Sequence, residues 1–153
     1  MKVSAFRAVT AAAVVLVLGA VNWSIYSKER IKTGGEIVYL QLAPVDPRSL
    51  MQGDYMALRF ALANDLNTEA GGSAPLALDS NGVATLDRGM GKDSLRIRYR
   101  VRNGQVWLGT NAYFFEEGTA ERYEQARYGE FRIDRKTGEA VLVALRDKDF
   151  KAL

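Results

Sequence analysis

The chain has 153 residues, of which 48% are hydrophobic and 10% aromatic, so it can hold one folded domain and a short additional segment. It contains no cysteine and no histidine, which excludes disulfides, thiolate or imidazole metal sites, and catalysis by Ser-His or Cys-His pairs. Residues 1–32 carry five basic residues and one acidic residue, whereas residues 33–153 carry sixteen and seventeen, which accounts for the net charge of +3. This distribution favours anionic membrane lipid over nucleic acid as a partner.

Residues 8–26 form a run of 19 residues without charge, about the length needed to cross a bilayer core of roughly 30 Å. Trp23 and Tyr26 lie at its far end, where aromatic side chains favour the membrane interface. We therefore predict a membrane anchor over residues 1–32 and a soluble domain over residues 33–153. A cleaved signal peptide is the alternative, but no convincing cleavage site is present. Basic residues flank the run on both sides, so charge alone does not decide its orientation.

Alternating hydrophobic residues predict a first strand over residues 36–42. After it, Asp46 and Pro47 suit the N-cap and first position of one helical turn, which Gly53 would end. A second strand is predicted over residues 54–62. Its buried face consists of four apolar side chains, Met56, Leu58, Phe60 and Leu62.

The next polar stretch, residues 64–75, predicts a mobile surface loop. A hairpin is then expected around residues 80–82. Asn103-Gly104 predicts a second hairpin with a type I′ turn, in which Arg102 opposes Gln105 and Arg100 opposes Trp107. One face of this hairpin is predicted to be core: Leu95, Ile97, Tyr99, Val101, Val106 and Leu108. The other face is predicted to carry Arg96, Arg98, Arg100, Arg102 and Trp107.

The arginine face has two interpretations. It can be a solvated surface whose stems cover Trp107 and whose guanidinium groups pair with acids nearby in sequence: Glu116, Glu117, Glu130 and Asp134. It can also be a rigid row that binds anionic lipid, polysaccharide or an acidic partner, because arginine binds phosphate and carboxylate in a bidentate manner. The first interpretation is favoured, since acids are plentiful.

The rest of the chain predicts a strand over residues 112–116, a short helix from the N-cap Thr119 to about Arg127, and a closing hairpin. Tyr113 and Phe115 are expected on one side of the strand, and Tyr123 is expected to dock the helix on the sheet. The hairpin strands are residues 128–134, with Phe131 and Ile133 facing inward, and 139–145. Residues 146–151 are predicted to be a solvated tail. The expected fold is mainly β, a partly open barrel or sandwich of antiparallel strands with one short helix, preceded by an N-terminal transmembrane helix.

Residues 53–60 read Gly-Asp-Tyr-x-x-Leu-x-Phe and follow Pro-Val-Asp-Pro-Arg at residues 44–48. They resemble the signature of the bacterial membrane-anchored GDYXXLXY family, with Phe60 where that signature has tyrosine. The resemblance extends to residues 113–118, 126–132 and 142–147. It implies a soluble domain on the outer, periplasmic face of the bacterial cytoplasmic membrane. It also implies a polytopic membrane protein as partner, but no activity.

No catalytic residue, metal or cofactor is expected. A degenerate signal-peptidase-like serine–lysine hydrolase is the alternative, but Val45 stands where such enzymes have serine, and Ser49 has only Lys92 as a candidate base. A binder of anionic envelope polymer is a further alternative. The favoured function is an envelope accessory module that docks on a partner through the signature turn. Its candidate residues are Asp46, Arg48, Gly53, Asp54, Tyr55 and Arg59, with Arg96, Arg98, Arg100 and Trp107 as secondary candidates.

Overall fold

The computed structural model describes residues 2–43, 51–52, 55–89, 91 and 93–153. A long helix is followed by short strands, one 3-10 helix (Ala61–Asp65) and one helical turn. The helices are α1 (Lys2–Gly34) and α2 (Ala120–Tyr123). The strands are β1 (Glu36–Gln41), β2 (Met51–Gln52), β3 (Tyr55–Ala57), β4 (Gly72–Leu78), β5 (Ala84–Leu86), β6 (Leu95–Arg102), β7 (Gln105–Trp107), β8 (Ala112–Phe114), β9 (Tyr128–Ile133) and β10 (Ala140–Arg146).

The strands form antiparallel sheets with the orders β1-β9-β10, β2-β3-β8 and β5-β4-β6-β7. Main-chain contacts join the first and third sheets at two places. Tyr39 forms a bridge with Val83 and its N–H donates to the Gly82 carbonyl at 2.9 Å. The Arg98 N–H donates to the Gly138 carbonyl at 2.7 Å. The sheets therefore curl into a half-barrel, which confirms the predicted mainly β class.

The core lies inside this curl. Val38 and Leu40 of β1 are fully buried. The alternation puts them on one face of the strand, and the structure shows that this face is the core. Phe131 and Ile133 of β9 are fully buried beside them, as predicted. Burial of a large apolar side chain contributes about 1.5–3 kcal/mol, so this face supplies much of the stability of the domain.

The hairpin between β6 and β7 confirms the predicted turn and register. Asn103 and Gly104 have φ angles of 50° and 72°, as a type I′ turn requires, and Arg100 pairs with Trp107. The core face of β6 is buried or half-buried and its arginine face is exposed. Local turn chemistry is therefore sufficient to set this hairpin.

The second predicted strand is wrong in extent but right in burial. Met56, Leu58, Phe60 and Leu62 are all buried, yet β3 ends at Ala57 and a 3-10 helix follows. The Leu58 N–H still donates in register to the Asn111 carbonyl of the neighbouring chain segment. The strand ends there because Phe60 bridges to Leu42 and its carbonyl accepts the Ala63 N–H, which starts the 3-10 helix. The predicted helical turn is also wrong at its end, since residues 51–52 form β2.

The predicted loop over residues 64–75 is too long, because β4 begins at Gly72 and pairs with β6. Pro75 is tolerated within β4 because its nitrogen points to the side of β5 but lies beyond the end of that strand. Its carbonyl, on the same side, accepts the Asp87 N–H at 2.9 Å. The hairpin at residues 80–82 is confirmed. The Asp79 carboxylate accepts the N–H groups of Asn81 and Val83, and Gly82 supplies a φ of 81°.

The helix after β8 is shorter than predicted. It ends at Tyr123. Thr119 occupies the N-cap position, as predicted, but its hydroxyl donates to the Glu116 carbonyl at 2.6 Å and accepts no N–H group of the helix. The predicted docking is confirmed, since the Tyr123 ring stacks on Phe115 with centroids 5.0 Å apart and lies 5.3 Å from Tyr113. Burial raises the pKa of Tyr113, and the neighbouring Tyr123 raises it further.

The predicted solvated tail is wrong. The Asp147 carboxylate accepts the N–H groups of Asp149 and Lys151, which folds the chain back on itself. The Phe150 ring then stacks on Tyr128 at 4.7 Å and contacts Tyr39 at 5.0 Å. Aromatic contacts and the turn therefore hold the C-terminal residues on the outside of the first sheet.

The long helix joins the domain without a linker. α1 continues to Gly34, and Ile31 in its last turns is buried against β9 and β10. The Ile31 carbonyl accepts the Gly35 N–H at 2.8 Å, and the Arg132 guanidinium donates to the Gly35 carbonyl at 3.2 Å. These contacts fix the direction in which α1 leaves the domain.

Candidate functional site

The first candidate region contains the signature segment, whose two ends meet. The Ala43 N–H donates to the Arg59 carbonyl at 2.8 Å, and Leu42 bridges to Phe60. Between these points, β2 and β3 pair with each other, and β3 pairs with β8. The two ends of the segment are therefore held together by main-chain contacts beside the end of β1.

Most of the predicted turn residues lie outside the described residues: Asp46, Arg48, Gly53 and Asp54. Ser49 and Lys92, the residues considered for hydrolysis, also lie outside them. The structure places Tyr55 in β3, half-buried, and leaves the Arg59 side chain exposed. The predicted role of the turn in binding stays a prediction.

Phe114 adds a residue that sequence reasoning missed at this region. It pairs with Tyr55 across β3 and β8, and the two ring centroids are 5.8 Å apart. The Phe114 side chain is 75% exposed, the highest value for a large hydrophobic residue in the described chain outside α1. Its signal was present in the sequence, because Tyr113 and Phe115 were assigned to one face of the strand, which leaves Phe114 on the other.

Phe60, at the position of the signature tyrosine, belongs to the core. Its ring meets Phe131 edge-on at 5.2 Å and lies over Gly129, where a Cβ atom would come within 2.9 Å of it. The close approach requires glycine at residue 129. The surroundings of Phe60 are thus apolar, and this position supports the fold instead of contacting a ligand.

The second candidate region is a cleft of about 230 Å³ between α1 and the arginine face of β6. Its lining combines basic, aromatic and small residues with one acidic residue: Lys28, Arg98, Arg100, Arg102, Trp107, Gly109, Glu139 and Ala140. Lys28 of α1 forms an ion pair with Glu139, which precedes β10. Sequence reasoning missed both residues, because they are 111 positions apart.

The arginine row is only partly paired as predicted. Arg102 lies over the Trp107 ring, with its guanidinium carbon 5.5 Å from the centroid, which agrees with the expected cover of that ring. Arg96 donates to the hydroxyl and carbonyl of Ser73. Arg98 and Arg100 have no carboxylate within 4 Å among the residues that the structure describes.

The expected pairing with acids nearby in sequence is wrong for two of them. Glu130 is buried and pairs with Arg146. The Asp134 carboxylate accepts the N–H groups of Lys136 and Thr137, and these hydrogen bonds lower its pKa. Asp134 thereby holds the turn that places Gly138 against β6, beside the cleft. Glu130 lies on β9, in a different sheet from β6, and the Asp134 carboxylate is occupied by the N–H groups of its own turn, so nearness in sequence did not identify their partners.

α1 is the third functional element. An 18-residue window of this helix has a mean hydropathy of 2.0 and none of the window is buried in the protein. The helix is therefore long and apolar enough to cross a membrane, and it presents this surface to its surroundings, which supports anchoring.

The family model described as GDYXXLXY protein matches residues 17–145, which include the end of α1 and nearly all of the strands. No curated protein and no solved structure matches the chain.

Proposed function

The chain belongs to the GDYXXLXY family, and from this premise we propose that it is a non-catalytic, membrane-anchored binding module of the bacterial envelope. In this proposal the soluble domain lies on the outer face of the cytoplasmic membrane. It docks on a polytopic membrane protein through the sheet β2-β3-β8 together with the signature turn, residues 46–59. We call this combined surface the signature sheet.

The proposal rests on the exposed Phe114 ring beside Tyr55. An aromatic side chain that is 75% exposed has a large apolar area to bury, and aromatic residues, phenylalanine included, are enriched in the buried core of interfaces. Phe114 is next to the signature strand β3, and the exposed Arg59 follows that strand. An apolar centre with a charged residue at its margin is the usual arrangement of an interface.

The linkerless anchor supports the choice of a membrane partner. Because α1 continues into the packed turn at Ile31 and Gly35, the domain cannot move far from the membrane that holds α1. A domain held in this way meets other proteins of the same membrane at high local concentration, which raises the effective affinity of a weak contact.

Site-specific photocrosslinking of the full-length chain in its native membrane tests this proposal. A photoreactive residue at Phe114 or Arg59 should capture one polytopic membrane protein, and the same residue at Arg88 should not. Asp54→Ala and Arg48→Ala should reduce capture from position 114 while the melting temperature of the domain stays unchanged. Capture of no membrane protein, or equal capture from positions 88 and 114, would refute docking at the signature sheet.

The proposed orientation can be tested because the chain has no cysteine. A single Lys148→Cys variant should react with a membrane-impermeant maleimide in cells whose outer membrane has been opened. Labelling only after lysis of the cytoplasmic membrane would place the domain on the inner face instead.

A further inference from the structure

We propose that the cleft between α1 and β6 binds the phosphate headgroup of an anionic phospholipid from the membrane in which α1 is anchored. This site is separate from the signature sheet, so it does not depend on docking of a protein partner there. The inference depends on three observations: the charge of the cleft, its position along α1, and the contacts that hold α1 against the β domain.

The cleft has an excess of unpaired positive charge. Four basic side chains and one carboxylate line it, and the carboxylate of Glu139 is taken by Lys28. Arg98 and Arg100 have no acidic partner within 4 Å in the described part of the chain. Guanidinium groups donate two parallel hydrogen bonds to a phosphate, so adjacent arginines on one strand form a suitable phosphate site.

The position of Lys28 puts the cleft at headgroup depth. Lys28 is the first charged residue after the apolar run of α1 and lies five residues beyond Trp23 and two beyond Tyr26. At 1.5 Å per residue these separations are about 7.5 Å and 3 Å along the helix. Each headgroup layer is about 5–8 Å thick, so Lys28 lies within it or at its outer edge when the two aromatics occupy the interface.

The contacts of α1 with the domain keep the arginines at this depth. Glu139 forms an ion pair with Lys28. The turn that precedes Glu139 also contacts β6, where the Gly138 carbonyl accepts the Arg98 N–H at 2.7 Å. Trp107 lies opposite Arg100 and lines the cleft, which suits an indole ring at a membrane interface.

A lipid is favoured over a soluble polymer because of where the basic charge lies. Residues 33–153 together carry no excess of basic charge, so the domain offers little long-range attraction to a polyanion in solution. An anionic headgroup is already present at the depth that Lys28 would occupy, and each basic residue near such a surface strengthens attraction about fivefold.

Fluorescence quenching of Trp107 tests the site in the full-length chain. In a Trp23→Phe background, Trp107 is the remaining tryptophan of the two in the chain. The protein is reconstituted in phosphatidylcholine nanodiscs that contain a small fraction of nitroxide-labelled lipid, with the label just below the headgroup. Labelled phosphatidylglycerol should quench Trp107 more strongly than labelled phosphatidylcholine.

The variant Arg98→Gln/Arg100→Gln should lower this preference for phosphatidylglycerol by up to about 25-fold, the product of two such contributions. The control Arg88→Gln/Lys148→Gln changes net charge equally at exposed residues that do not line the cleft, and it should leave the preference intact. Unchanged circular dichroism in both variants would exclude unfolding as the cause of a loss.

Three results would overturn the proposal. The first is equal quenching by the two labelled lipids, and the second is an equal loss in the cleft and control variants. The third is loss of the preference on addition of inorganic phosphate in amounts too small to screen surface charge, because the cleft would then bind a solution anion. Capture of a protein partner from Phe114 is measured separately in the same variants, so failure of one proposal does not imply failure of the other.

Discussion

Replacing Arg146 with methionine removes the partner of Glu130, the one charged residue that the described chain buries. The Arg146 Nε donates to the carboxylate at 2.6 Å, and a second guanidinium nitrogen also contacts it. Glu130 is 4% exposed, so water cannot replace the lost partner. Removing one member of a buried ion pair costs about 3–5 kcal/mol, because the remaining charge stays buried and uncompensated.

This cost is a large part of the 5–15 kcal/mol that stabilises a typical domain. At roughly 4 °C per kcal/mol for a domain of this size, Arg146→Met should lower the melting temperature by about 12–20 °C. The double variant Glu130→Met/Arg146→Met should recover most of the loss, since it buries neither charge. The exposed pair of Arg88 and Asp65 gives the matched control, because Arg88→Met at an 80% exposed side chain should cost about 1 kcal/mol or less.

The measurement is unfolding of the full-length chain in detergent micelles by guanidinium chloride or heat. Trp107 fluorescence in the Trp23→Phe background reports on the β domain without a signal from α1. If Arg146→Met cost no more than Arg88→Met, or if the double variant were as unstable as the sum of the single ones, the reasoning from burial would be refuted.

Two further predictions concern the turn between β9 and β10. Gly138→Ala should destabilise the domain by about 2 kcal/mol or more, because φ is 71° and the new Cβ atom would lie 3.1 Å from the Arg96 carbonyl. Gly104→Ala is the control: φ is 72° and no atom lies within 4 Å of the new Cβ, so the substitution should cost only about 1–2 kcal/mol. Equal losses of unfolding free energy for the two variants in chemical denaturation would exclude a steric contribution at residue 138. In the same turn, backbone hydrogen bonds from Thr137 and Lys136 hold the pKa of Asp134 below its ordinary value of 3.8. A lowered pKa stabilises the folded state fully above the unfolded value, and this contribution is lost as the pH falls through the folded-state pKa. The stability difference from Asp134→Asn should therefore be constant between about pH 5 and 7 and shrink progressively below about pH 4. A difference that grew on acidification would contradict this sign.

Residues close in sequence determined the features that were predicted correctly. Asn103 and Gly104 adopt positive φ angles at low cost, and this fixed the β6–β7 register and the division between core and arginine faces. Strand alternation put Val38 and Leu40 on one face of β1, and the packing of the sheets made that face the core. The charge-free run of α1 likewise required no tertiary information, because its length can be compared directly with the thickness of a bilayer core.

Only the tertiary structure decided how these elements end and what they meet. The strand within the signature, β3, stops at Ala57 because Phe60 bridges to Leu42 and a 3-10 helix follows, which no local pattern reveals. The C-terminal residues are ordered by rings that lie far away in sequence. The cleft exists because Lys28 and Glu139, 111 residues apart, are brought together by the return of β10 beside α1. Periodicity shows which side of a strand is buried, but only the packing of one element on another determines which charged groups become neighbours.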